Sequence, residues 1–209
     1  NKKNKPKIAI FREQGVNGHK EMANAFNLAG FDCYDVNTND VIANPALLNE
    51  YHGLVACGGF SYGDVLGAGR GWANKIKYNH DALNSLSKFF SDKNKFTLGV
   101  CNGCQMLSNL QSIIPGSEHW PKFIKNNSNQ FEARQVLVKI PKSNSMLFKD
   151  MHKSILPIIV SHGEGKISIK NKSIIKKATM QYVDATGKHT EKYPYNPNGS
   201  LNGVTGFCN

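Results

Sequence analysis

The run Phe96-Thr-Leu-Gly-Val-Cys-Asn-Gly-Cys-Gln-Met-Leu107 decides the fold. Phe96 to Val100 reads as an apolar strand and Asn102 to Leu110 as a helix. Between them, Gly99-Val100-Cys101-Asn102-Gly103 spells G-x-C-x-G. A cysteine on a strained strand-to-helix turn, with glycine two residues to either side, is the thiol form of a nucleophile elbow. The glycines relieve crowding at the turn. The helix start favours thiolate over thiol. The backbone N–H of Asn102 points to where an oxyanion would form. Two other readings compete. Cys101 and Cys104 have redox-pair spacing, but such pairs rarely carry glycine on both sides of the first cysteine. A structural zinc site needs about four ligands, in two close pairs, and the sequence has no second Cys pair. No metal is expected, and Cys104 becomes a helix residue facing the core.

Working outward, Lys7 to Phe11 is an expected strand and Arg12 to Gly18 a loop. His19 to Ala29 places Met22, Ala25, Phe26 and Ala29 on one helical face, and Gly30 closes it. Phe31 to Val36 and Gly53 to Cys57 read as strands two and three, with a mixed stretch between them that turns helical after Pro45. A glycine-rich loop, residues 58–71, precedes helices over 72–78 and 81–91. This alternation implies a parallel sheet covered on both faces. After Pro115 the texture changes to short strands, in "EARQVLVKI", "LPIIVS", "KISI" and "MQYV", which predict an antiparallel extension. No repeat or linker divides the chain, so residues 1–209 are expected to form one domain.

The glycine-rich loop is not a phosphate cradle. Gly58-x-x-x-x-Gly63 continues with Asp-Val rather than Lys-Ser or Lys-Thr, and Gly67-Ala-Gly69-Arg-Gly71 lacks dinucleotide-binding spacing. It does offer backbone N–H groups, at Gly58 and Gly59, at the carboxyl end of a parallel strand, where open α/β sheets bind ligands. If strand 53–57 neighbours strand 96–100, this loop faces Cys101 and supplies a second oxyanion donor.

Composition narrows the classes. The net charge of +11 could suit a polyanion, but the lysines are scattered and no arginine-rich stripe exists, so no nucleic-acid partner is expected. No apolar run approaches the ~18 residues of a membrane span, and "NKKNKPK" is not a secretory signal. Five irregularly spaced cysteines fit a reducing cytoplasm better than a disulfide framework.

The segments "FREQGVNGHKEMANAF" (11–26), "ACGGFSYGDVLGAGRGWA" (56–73), "LGVCNGCQM" (98–106), "NNSNQFEAR" (126–134), "IVSHGEGK" (159–166) and "YPYNPNGSLNGVTG" (193–206) span nearly the whole chain. In that order they resemble the class I, triad-type glutamine amidotransferases, and among these the glutaminase domains of large single-chain phosphoribosylformylglycinamidine synthases. The resemblance implies a flavodoxin-like open sheet, mostly parallel, with helices on both faces and an antiparallel extension. It implies that Cys101 attacks the side-chain amide of glutamine and forms a thioester. The ammonia then reaches a synthase domain of the same or a longer polypeptide, where ATP and Mg serve the conversion of formylglycinamide ribonucleotide to its amidine in purine biosynthesis. No cofactor is expected in the glutaminase domain itself. Gly58, Gly59 and the N–H of Asn102 would form the oxyanion hole. Gln105 would hold substrate glutamine, and Asn126, Ser128 and Phe131 would contact its amino-acid end.

The family's activating His and Glu lie in a Pro-His-Pro-Glu motif shortly after the segment matching "NGVTG". The resemblance therefore implies a chain that stops at Asn209 short of that motif and belongs to a longer polypeptide. His162-Gly163-Glu164 offers an alternative His-x-Glu pair, whose side chains an extended segment would place on one side. Because the family carries "SHGEG" in addition to its catalytic pair, these two residues are expected in pocket-rim or interface roles. Arg12, Glu13 and Gln14, at the carboxyl edge of the first strand, either dock the synthase domain or line the ammonia exit, or else form a solvated loop with a local ion pair. A catalytically incomplete docking domain of the same fold is the alternative function. Glyoxalase-like or peptidase-like elbow enzymes are disfavoured by "NNSNQFEAR" and "NPNGS", and because they usually place His where this chain has Asn102.

Overall fold

A computed structural model describes residues 5–168 and 172–209, which divide into two compact units at Pro115/Gly116. The first unit holds β1 (Lys7–Arg12), α1 (His19–Leu28), β2 (Asp32–Asn37), α2 (Thr38–Ala43), β3 (Gly53–Ala56), α3 (Ala68–Lys77), α4 (His80–Ser91), β4 (Phe96–Gly99) and α5 (Asn102–Asn109). Its sheet runs β2-β1-β3-β4 and every neighbouring pair is parallel. Ile8 to Phe11 and Leu54 to Ala56 are at most 1% exposed. This explains their unbroken apolar runs, since parallel strands are covered on both faces. Chain order reverses between β1 and β3. The loops leaving their carboxyl ends therefore flank the crevice where doubly wound sheets take ligands.

Helix α3 begins at Ala68 rather than at residue 72, so Gly69 and Gly71 are helical rather than part of the loop. The reason is packing. A Cβ on Gly69 would lie 2.5 Å from the Cβ of Gln105, so the glycine lets α3 and α5 approach closely. Trp72, fully buried, packs its ring tilted by 37° at 5.4 Å from that of Phe11 and donates its indole N–H to Thr38 Oγ1 at 2.8 Å. Burying a side chain of this size contributes about 3 kcal/mol.

The second unit holds β5 (Lys122–Ile124), β6 (Glu132–Lys139), β7 (Ile155–His162), β8 (Lys166–Ser168), β9 (Ala178–Val183) and β10 (Val204–Phe207). The antiparallel order is β10-β9-β6-β7, with β5 and β8 pairing separately. Its core gathers Val136, Val138, Val160 and Tyr182 on one face of the larger sheet. The expected antiparallel texture is present. Strands β5 and β10 were not foreseen, being too short for alternation to register, and residue 169 of the expected strand "KISI" lies outside the described residues.

Candidate active site at the Cys101 elbow

Cys101 has φ 50° and ψ −114°, a conformation unusual for a residue with a side chain. The surrounding hydrogen bonds impose it. Val100 N–H continues the β3–β4 ladder to Ala56 O at 3.0 Å, while Gly103 N–H donates to Cys57 O at 3.1 Å and Val100 O at 2.9 Å. The chain must therefore turn sharply within three residues. Both flanking glycines are required by contact. A Cβ on Gly103 would sit 2.1 Å from Ala56 O, and one on Gly99 would sit 2.9 Å from Cys104 Cα.

The glycine-rich loop meets the elbow as the strand adjacency requires. Gly58 lies under the thiol, with a hypothetical Cβ 3.2 Å from that of Cys101. The backbone N–H groups of Asn102 and Gly59 both donate to the Cys101 sulfur. Burial pushes the Cys101 thiol up from its ordinary pKa, and the charge of Asp64 adds to that rise. The N–H of Asn102, and more weakly that of Gly59, pull it back down. Cys104 is pushed up to about 12 by burial and then by the neighbouring sulfur. The two thiols thus occupy different environments despite their spacing.

Gln105 stands on the first turn of α5, its N–H bonded to Cys101 O at 3.0 Å and its side chain against Gly69. The side chain of Asn102, 3% exposed, donates through Nδ2 to the buried Ser61 Oγ at 2.6 Å. That bond joins the glycine loop to the residue that follows the nucleophile. Nothing in the sequence singled out Ser61.

Arg12 forms a forked ion pair with Asp35 of β2, at 2.6 and 2.9 Å, so it takes the local-pair role. Glu13 is different: it is 1% exposed. Its Oε1 accepts from Lys75 Nζ at 3.0 Å and Gln14 N–H at 2.9 Å, and its charge acts on the Tyr62 hydroxyl. Tyr62 is pushed up to about 12, first by burial and then by the Glu13 charge beside it. Lys75 and Tyr62 escaped the sequence reading because their partner is remote in sequence.

The other expected site residues belong to the second unit. Asn126 is buried, and its side chain is spent on backbone. Nδ2 donates to His162 O at 2.8 Å and Gln130 O at 3.3 Å, and Oδ1 accepts from Gly165 N–H at 2.9 Å. Ser128 Oγ accepts from Gln130 N–H at 3.3 Å, closing the same turn, and Phe131 is exposed. His162 ends β7 with its ring against Gly165. Glu164 lies beyond the strand, after a bend at Gly163. The cross-strand partner of His162 is Glu132, itself paired with Arg134. Burial lowers the His162 pKa and Glu132 partly restores it. Glu132-x-Arg134 was the available signal, two opposite charges on one face of a strand.

Among the described residues, no three His, Cys, Asp or Glu side chains are grouped to hold a metal ion. No described helix is long and apolar enough to cross a membrane.

Comparison with known proteins bears on the fold and the family. PurLQS from Thermotoga maritima superposes with a TM-score of 0.67 at 21% identity, over 96% of this chain and 80% of that one. A glutamine amidotransferase from the same organism gives 0.50 at 16% identity, over 81% and 65%. The glutaminase domain of Trypanosoma brucei CTPS, solved with acivicin, gives 0.50 at 15% identity, over 88% and 77%. At such identities the likeness is one of fold. The sequence pattern of one family matches residues 5–209, and the chain accordingly belongs to the CobB/CobQ-like glutamine amidotransferase domains.

Proposed function

We infer that the chain is the glutaminase module of a phosphoribosylformylglycinamidine synthase, acting in the cytoplasm through a Cys101 thioester. The observation that carries this reading is the convergence of two backbone N–H groups, from Asn102 and Gly59, on a thiol held at φ 50°. The sulfur adds to the side-chain amide carbon of glutamine. The oxyanion that develops takes the two N–H donors in place of the sulfur. The tetrahedral adduct collapses with loss of ammonia, which carries away the proton given up by the thiol. Water then hydrolyses the glutamyl thioester to glutamate. Because burial holds the thiol above its ordinary pKa, a base must accept its proton. We assign that base to a histidine, the residue that the family's Pro-His-Pro-Glu motif supplies.

Gln105, on the first turn beyond the nucleophile, is assigned to glutamine binding. Asn126, Ser128 and Phe131 are assigned to the substrate's amino-acid end, with Asn126 acting by shaping the turn rather than by direct contact. The synthase domain would bind ATP, Mg and the nucleotide. The exposed apolar side chains of the glycine loop, Phe60, Val65 and Leu66, support a partner domain beside the thiol.

The test is covalent labelling by a glutamine-mimicking electrophile, read by peptide mass spectrometry. Selective modification of Cys101, suppressed by glutamine, is the expected result. Equal labelling of several of the five cysteines, indifferent to glutamine, would overturn the assignment.

A further inference from the structure

The loop after β3 holds three consecutive residues in left-handed conformations: Tyr62 at φ 54°, Gly63 at φ 73° and Asp64 at φ 59°. Tyr62 and Asp64 bear side chains, and each such conformation costs on the order of 1 kcal/mol unless its surroundings enforce it. The enforcement comes from the loop after β1. Gln14 O accepts from Tyr62 N–H at 3.3 Å, and Gly15 O accepts from Phe60 N–H at 2.9 Å. Gly59 is wedged against Val16 and Asn17, a hypothetical Cβ lying 2.6 Å from Val16 Cα and 2.5 Å from Asn17 N. The contact is so close that any slip of the β1 loop displaces the N–H of Gly59.

One charged side chain fastens this pair of loops. Glu13 is buried at the root of the β1 loop, pairs with Lys75 from α3 and accepts from the N–H of Gln14, whose own carbonyl takes the Tyr62 N–H, while its charge acts on the Tyr62 hydroxyl. The ring of Tyr62 lies over Gly71, where a Cβ would come within 3.2 Å of it. A buried ion pair is a poor source of net stability compared with apolar packing, and is better suited to fixing one arrangement.

We propose that Glu13 is a positioning residue for amide hydrolysis. By holding Tyr62 and Lys75 against the β1 loop, it keeps the Gly59 N–H aimed at the reacting centre of Cys101. Glu13 touches neither substrate nor sulfur. The inference rests on the assignment of Cys101 as nucleophile with Gly59 as oxyanion donor.

The experiment compares two reactions of Cys101 in the full-length natural polypeptide. Glutamine hydrolysis develops an oxyanion, whereas alkylation by iodoacetamide, a direct displacement, does not. Glu13→Gln is expected to lower kcat for glutamine about 10- to 100-fold, with KM and the iodoacetamide rate each within about twofold of wild type. Tyr62→Phe removes only the hydroxyl link and is expected to lower kcat about threefold or more. Unchanged kcat in both variants would overturn the proposal. So would a parallel loss of kcat, glutamine affinity and iodoacetamide reactivity, which would make Glu13 a residue of general folding. If Glu13→Gln does not fold, Tyr62→Phe decides alone: an unchanged kcat sinks the idea. Failure of the underlying assignment is visible separately, as wild-type hydrolysis that survives Cys101→Ala.

Discussion

The elbow at Cys101 and the turn at Asn126 are both tightly determined, by opposite means. At the elbow, side chains are absent where they would collide: Gly58, Gly59, Gly69, Gly99 and Gly103 let backbone approach backbone or side chain. In the second unit, buried amides replace missing secondary structure. Asn126 spans two turns. Asn196 Nδ2 donates to Thr190 O and Ser200 O, and Asn198 Nδ2 donates to Gly165 O. The first solution aims backbone N–H groups at a reacting atom and leaves nothing to rotate. The second builds a rigid scaffold from side chains that would otherwise be free to bind ligand. A buried asparagine in a family motif is therefore ambiguous, whereas a glycine with no room for a Cβ is not.

This contrast breaks most easily at Gly103→Ala. On an ordinary helix the change would stabilise by about 0.5–1 kcal/mol. Here the new Cβ meets Ala56 O, and we expect a loss of about 3 kcal/mol or more together with loss of glutamine-protected labelling. A variant with raised Tm would show that the helix–strand contact is looser than these distances require.

Asn126→Ala comes next. It strips partners from two carbonyls and one N–H, with an expected cost of about 2–3 kcal/mol in chemical denaturation. A rise in KM for glutamine at unchanged stability would instead move Asn126 into the substrate site and dissolve the contrast.

Ser61→Ala leaves Asn102 Nδ2 buried without its acceptor. About 1–2 kcal/mol and a lowered kcat are expected from paired melting and activity assays. Full activity would mean that glycine contacts alone align the loop and elbow.

Arg12→Ala should be the mildest, within about 1 kcal/mol at neutral pH, because the pair with Asp35 is largely solvent-facing. Its signature is in acid. The Arg12 hydrogen bond holds the Asp35 carboxyl below its ordinary pKa. The stability it adds is present above the ordinary carboxylate range and lost as pH falls through the depressed value. The variant should show a shallower acid limb, and an identical limb would mean the pair contributes nothing.

How much could be read beforehand follows the same division. The parallel sheet, the elbow and the facing glycine loop were legible because runs such as Ile8 to Phe11 and the G-x-C-x-G spacing are local signals with steric causes. The start of α3 was not, because Gly69 and Gly71 look like loop residues until α5 is placed against them. Glu13 was narrowed only to the carboxyl edge. Its burial depends on Lys75, 62 residues away, and on the hydroxyl of a strained tyrosine. His162 and Glu164 are near in sequence, but strand register gives His162 an acidic cross-strand neighbour in Glu132.

The Val100 and Gly103 amides, bonded to Ala56 O and Cys57 O, make the thiol's own turn an extension of the β3–β4 ladder. Opening it means parting β4 from β3 at the edge of the sheet, so the elbow's excursions are tied to that strand pair rather than to loop breathing. Ligand arrival then has little to order at the nucleophile itself. Any gating falls to the exposed residues Gly63 to Leu66.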